Sequence, residues 1–149
     1  IPVVRIANTL GWRISVIDPR TAYARTSEFS GADQIIKQPA KELEGENWLN
    51  GIDAVVIMNH NVSLDAEALA LVQTINPAYV GLLGPGHRTD RVLDQAKLVR
   101  EKLVQPLFKP IGLRLGGDLP ESIALSMLSE IHAVLERKDA CSLSGLLNL

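Results

Sequence analysis

Apolar positions along this chain switch between two spacings, and the switching points to its fold. Val3, Ile6, Ala7 and Leu10 recur at helical spacing behind Pro2, which suits a first turn, and Gly11 stands where a helix ends. Arg13–Asp18 is a short β-branched strand closing on an acid; Asp18-Pro19-Arg20 breaks it, and Thr21–Ala32 has no sustained period and reads as a loop. Asp33–Lys37 is a second, weaker strand, and Pro39–Asn50 is predicted as an amphipathic helix despite Gly45. Asp53–Met58 and Ala78–Leu83 are continuous apolar runs, the pattern of strands covered on both faces of a parallel sheet. Between them a helix runs to about Ile75, with Ser63 or Asp65 as its cap. Asp90–Leu103 places Val92, Ala96, Val99 and Leu103 on one face, and Ile111–Leu115 is a last short strand. Asp118 and Glu121 bracket Pro120 as cap and third helical residue of the clearest amphipathic helix, which runs through Leu135.

Strands alternating with crossover helices predict an α/β fold: a Rossmann-like, doubly wound parallel sheet in three α/β/α layers. Such a fold opens with a strand, a Gly-rich turn, a helix and a second strand ending in an acid. Here the helix and the acid-ended strand are present, but the first strand and its Gly-rich turn are not. That strand belongs at the sheet centre, where unpaired backbone is costly. Residues before Ile1 are therefore expected to supply it, which makes 1–149 a fragment of a longer protein. The alternatives are a sheet that closes around the gap or a partner chain that fills it. Ser142–Leu149 is an apolar tail with no partner in the pattern, and homodimerisation stays open.

Composition narrows the function classes. The 149 residues suit one domain with one core. Net charge is −2 and aromatics make up only 4%, which argues against nucleic acid as a partner. The single Cys141 cannot form an intramolecular disulfide and fits a reducing, cytoplasmic setting. No apolar run approaches the ~20 residues that span a bilayer, so no membrane partner is expected.

The candidate chemistry sits at predicted strand ends. Gly81, Gly84 and Gly86 punctuate the stretch from Ala78 to Arg91, where a buried strand hands over to a helix. By itself this window reads as a tight turn. Its position after a central strand tips it toward an anion site, with backbone N–H groups in the strand-end crevice and Arg88 and Arg91 beside them. A surface arginine at a helix start contributes little to the core, so reversing Arg88 is expected to leave the fold intact. Asp18 stands where a Rossmann protein bonds a ribose hydroxyl, and equally where a turn acid precedes proline. Arg20 reaches a phosphate or pairs with Asp18. His60 closes a strand at the ligand-collecting edge, where it could orient a ligand or serve as a structural hydrogen-bonder. His87, His132 and Cys141 read as solvated. No catalytic triad, phosphate-loop lysine or paired-acid arrangement is present, and no metal site is expected.

Five motifs in order carry a resemblance: Asp18-Pro19-Arg20, the strand ending at His60, Tyr79-Val80-Gly81-Leu82-Leu83-Gly84-Pro85, Pro110-Ile111-Gly112-Leu113, and Pro120-Glu121-Ser122-Ile123-Ala124-Leu125-Ser126. From Ile1 to about Leu135 the chain resembles the C-terminal Rossmann-like domain of the xanthine dehydrogenase accessory family (XdhC type). The resemblance implies a chaperone rather than an enzyme. Family members bind molybdenum cofactor (molybdopterin), protect it while a partner cysteine desulfurase supplies sulfur, and deliver it to an apo molybdenum hydroxylase. Asp18, Arg20, His60, Gly81, Gly84, Gly86, Arg88 and Arg91 are then the expected cofactor-binding residues. The family's cysteine-bearing N-terminal domain is not in this sequence. An NAD(P)-binding oxidoreductase domain is the competing reading, weakened by the missing Gly-rich turn.

Overall fold

The computed structural model describes residues 1–147, and Asn148 and Leu149, the end of the apolar tail, lie outside the described residues. Its strands are β1 (Ser15–Ile17), β2 (Gln34–Ile36), β3 (Ala54–Ile57), β4 (Tyr79–Leu82) and β5 (Leu107–Phe108). Its helices are α1 (Pro2–Thr9), α2 (Val62–Val72), α3 (Gly86–Ala96) and α4 (Pro120–Leu135). Every ladder is parallel, but the strands form two sheets, β2-β1 and β3-β4-β5.

Alternation along the strands builds the layers. Tyr79, Ala54 and Val56 turn to one face, where α1 and α4 bring Ala7, Leu128 and Ile131. Val80, Leu82, Val55 and Ile57 turn to the other, against Leu69 of α2 and Val92 of α3. A smaller cluster joins Ile17 and Ile36 to Leu71 of α2 and to Leu43 and Leu49. Three α/β/α layers result, the Rossmann-like architecture that the strand–helix alternation predicts. Among the described residues no helix is long and apolar enough to cross a membrane.

Several elements differ from their sequence expectation for local reasons. Pro39–Asn50 is not one helix but two 3-10 turns, Ala40–Leu43 and Asn47–Gly51, because Glu44 is extended and Gly45 takes φ 87°. The helix after β4 starts at Gly86, not Asp90, and stops where Lys97 turns left-handed, so Val99 and Leu103 lie beyond it. β5 is Leu107–Phe108 rather than Ile111–Leu115; Leu113 N–H instead bonds to the Ser126 carbonyl of α4 at 3.2 Å. Asn61, not Ser63 or Asp65, caps α2 by accepting from Leu64 N–H at 3.1 Å. Leu119 rather than Asp118 occupies the N-cap of α4, with no side-chain cap bond.

Candidate functional site

The C-terminal ends of β1, β3 and β4 are tied together by a continuous polar chain. Pro19 turns the backbone sharply after β1, so that Arg20 N–H donates back to Asp18 Oδ1 at 2.9 Å, an Asx-type turn. The Arg20 guanidinium grips the same carboxylate, Nε on Oδ1 at 2.9 Å and Nη2 on Oδ2 at 2.7 Å, while its face lies 4.3 Å from the Tyr23 ring. Arg20 Nη2 also donates across to the Asn59 carbonyl beyond β3 at 3.1 Å. Asn59 in turn donates its N–H at 3.0 Å and its side-chain amide at 3.1 Å to Asp65 Oδ1 in the first turn of α2. Asp65 is completely buried, and its second oxygen accepts from Arg88 Nη2. Arg88 springs from the first turn of α3 and lies over Gly84, which has φ 134° and where a Cβ would stand 3.3 Å from Arg88 Nη1.

Beyond this chain lies the exposed start of α3. The cap residue of α3 is Pro85, no side chain caps the helix, and no acid sits in its first turn. Arg88 N–H donates to the Pro85 carbonyl at 3.1 Å, which leaves the N–H groups of Gly86 and His87 without an acceptor in the helix. Nothing lies within 4 Å of where a Cβ on Gly86 would be, so the backbone there is open. Lys109 Nζ donates to the Pro85 carbonyl at 2.7 Å. Burial lowers the Lys109 pKa, and Arg100 and Arg88 lower it further against the opposing pull of Asp90. A cation held beside the positive end of a helix favours an anion in the same space.

A family model described as the XdhC Rossmann domain matches residues 1–131. The chain belongs to this family. It is 31% identical over 137 residues to a Bacillus subtilis (strain 168) protein named as a probable xanthine dehydrogenase subunit, covering 92% of this chain and 40% of that protein. A crystal structure described as a xanthine dehydrogenase from Bacillus halodurans superposes with a TM-score of 0.77 at 29% identity, covering 97% of this chain and 42% of the other. The XdhC domain thus spans about two fifths of the length of these relatives.

Within the XdhC domain the expected site residues separate into groups. Asp18, Arg20, Gly84 and Arg88 belong to the polar chain, and Gly86 opens the helix next to it. Arg91 is exposed one turn along α3. His60 is exposed at φ 55°, three residues past the end of β3 and outside the polar chain. Gly81 lies buried inside β4, where a Cβ would run into Ile111 Cδ1, so packing accounts for its missing side chain.

Asn59, Asp65 and Lys109 were not singled out as site residues from the sequence. An available signal was Asp65 itself, an acid among Val62, Leu64, Ala66, Leu69 and Val72 on a largely apolar helix. A second polar lock lies under the sheet. Tyr79, fully buried and stacked on Phe108 at 4.3 Å, donates its hydroxyl to Glu130 Oε2 at 2.6 Å, and Gly112 N–H donates to the same oxygen at 2.9 Å. Burial raises the Tyr79 pKa and Glu130 raises it further, so the phenol stays a donor.

The Asp18–Arg20 pair sets a pH response. Burial opposes the Asp18 charge, but the bonds from Arg20 and its positive charge outweigh it, holding the carboxyl below the ordinary value of 3.8. A depressed folded-state pKa means stability that is complete above the unfolded value and lost as pH falls through the folded one. Wild type and Asp18→Asn are therefore expected to differ in urea midpoint at pH 6, and the gap is expected to close only as pH falls through the depressed folded-state pKa, below 3.8. A gap that stays constant across that range would contradict the pairing.

Proposed function

We propose that this domain is the cofactor-holding part of a xanthine dehydrogenase maturation factor. In this reading it binds molybdenum cofactor by its phosphate, shelters it while a cysteine desulfurase supplies sulfur, and passes it to an apo molybdenum hydroxylase. The observation that carries the reading is the uncapped start of α3, with open backbone at Gly86, no acid in its first turn, and Lys109 alongside. That donor set fits a phosphate group, which takes backbone N–H bonds and cations together. When bound, the cofactor would supply the molybdenum chemistry; the chain's own residues would grip and orient its phosphate end. Relatives named as xanthine dehydrogenases support the choice of cofactor class.

The polar chain favours holding over turnover. Asp18 and Asp65 are each tied to an arginine rather than free to move a proton, and the chain keeps the strand ends in fixed relation. An NAD(P)-dependent oxidoreductase has less support, because both oxygens of the acid expected to hold a ribose hydroxyl already accept from Arg20.

Gly86→Asp in the full-length protein tests the reading. An acid at the first helical position complements the dipole, so melting temperature should hold or rise slightly. The same carboxylate occupies the N–H groups and repels phosphate, so affinity for isolated molybdenum cofactor should fall at least tenfold, about 1.4 kcal/mol. Unchanged affinity in a folded Gly86→Asp protein would remove α3 from the site.

A further inference from the structure

We propose that the exposed ring of Tyr23, backed by the Arg20 guanidinium, is a stacking platform for a planar heteroaromatic ring, the pterin of a cofactor or the base of a nucleotide. Tyr23 lies between β1 and β2, in the segment that carries no apolar period. Among the described residues it is the one exposed aromatic side chain, at 61%. Tyr79 is fully buried, and Trp12, Phe29, Trp48 and Phe108 are half-buried. The fold thus shelters every other aromatic ring at least in part and leaves this one in water, where its apolar area stabilises nothing.

The ring is exposed but held in place. Tyr23 N–H donates to the Arg20 carbonyl at 2.9 Å, and Ala24 N–H donates to the same carbonyl at 3.1 Å. Ala24 is completely buried, which anchors the turn from below. Arg20 is fixed as well: Asp18 accepts from its Nε and Nη2, and the Asn59 carbonyl accepts from Nη2 at 3.1 Å. Those bonds lie in the plane of the guanidinium, so its flat face remains for Tyr23, whose ring centroid is 4.3 Å away. Arg20 covers one face of the ring, and the opposite face opens to solvent. Asp18 and Arg20 are then positioning residues, the first acting through the second on the ring.

A ring backed on one face and free on the other is completed by a second flat, π-bearing group; an alkyl or purely anionic ligand gains far less from it. Tyrosine has only two side-chain torsions, so little freedom is lost when a ligand ring settles on it. The platform also stands at the same strand-end edge as the start of α3. Arg20 bonds to Asn59, Asn59 to Asp65, and Asp65 to Arg88 in the first turn of that helix. A ligand with a phosphate at one end and a flat ring at the other meets a matching group for each along this edge. The inference rests on the cofactor reading for its first probe, and its nucleotide arm does not.

The test titrates full-length wild type, Tyr23→Ala, Tyr23→Leu and Tyr23→Phe with isolated molybdenum cofactor, with adenosine and cytidine diphosphates, and with inorganic phosphate. Because the side chain is largely exposed, all three variants should melt close to wild type. Tyr23→Ala and Tyr23→Leu should bind the cofactor about tenfold more weakly, while Tyr23→Phe, which keeps the ring, should stay within about twofold of wild type. Affinity for inorganic phosphate should not change, since that probe has no ring. A loss seen with the diphosphates, in a protein that does not bind the cofactor, would support the platform as a base site and sink the cofactor reading. Wild-type affinity for every ring-bearing probe in a folded Tyr23→Ala protein would overturn the platform and leave the cofactor reading standing. An equal loss for inorganic phosphate would also overturn the platform, and a wild-type protein that binds no ring-bearing probe would overturn both.

Discussion

Asp65→Ala is expected to destabilise the domain by about 3–5 kcal/mol, because it leaves a largely buried guanidinium without its counter-charge. Asp65 is fully buried and holds three donors: Arg88, the Asn59 N–H and the Asn59 side chain. The Arg88 side chain is only 13% exposed, so water cannot replace the lost carboxylate at little cost. For a domain of this size the loss corresponds to roughly ten degrees or more in melting temperature. Arg88→Glu should be at least as damaging, since it sets one carboxylate against another in a buried place. This overturns the sequence expectation that Arg88 can be reversed with the fold intact. Replacing both residues, as Asp65→Leu with Arg88→Met, should recover much of the stability, because neither charge is then stranded. Urea unfolding of the four proteins checks this, and an Asp65→Ala protein within 1 kcal/mol of wild type would reduce the pair to a surface ion pair.

Gly112→Ala carries the second large effect, about 3 kcal/mol, from two sources that a control can separate. Gly112 sits at φ 100°, and its Cβ would stand 2.5 Å from Ser126 Oγ and 3.2 Å from the Met127 nitrogen of α4. Backbone strain accounts for about 1–2 kcal/mol, and overpacking against a helix backbone for another 1–3 kcal/mol. The loop would also be pushed off α4, straining the bond from Gly112 N–H to Glu130 and that from Leu113 N–H to Ser126. Gly116 is the control: its φ is 80° and nothing lies within 4 Å of its Cβ position. Gly116→Ala should therefore show the strain alone, about 1 kcal/mol. Equal losses at the two positions would exclude close packing as the reason for Gly112.

Features set by near neighbours were legible in the chain. Pro2 and Gly11 bound α1, and the unbroken apolar runs at 53–58 and 78–83 gave two parallel strands with helices on both faces. Asp18 was legible as a strand-end acid because Pro19 forces the turn that follows it. Even the gap in the sheet was foreseeable, since the strand–helix order lacks a first strand, and the structure splits into two sheets between β1 and β3. Periodicity failed where a single residue overrode it. Gly45 broke a helix that the apolar spacing allowed, and Lys97 ended α3 two residues before Val99 could join its face.

What the chain alone determined about this protein is its alternation of elements, its layers and the strand ends at which its polar residues gather. These follow from steric and hydrophobic preferences that act over a few residues. Which charges neutralise one another was decided only in three dimensions. Asp65 and Arg88 are 23 positions apart, and Arg20 and Asn59 are 39 apart. No local pattern records such distances; parallel strands bring the residues together at one edge, and burial of Asp65 then compels a cation to meet it. The tertiary structure thereby made Arg88 part of the frame and left the uncapped N–H groups at Gly86, with Lys109 beside them, as the open face of the proposed site.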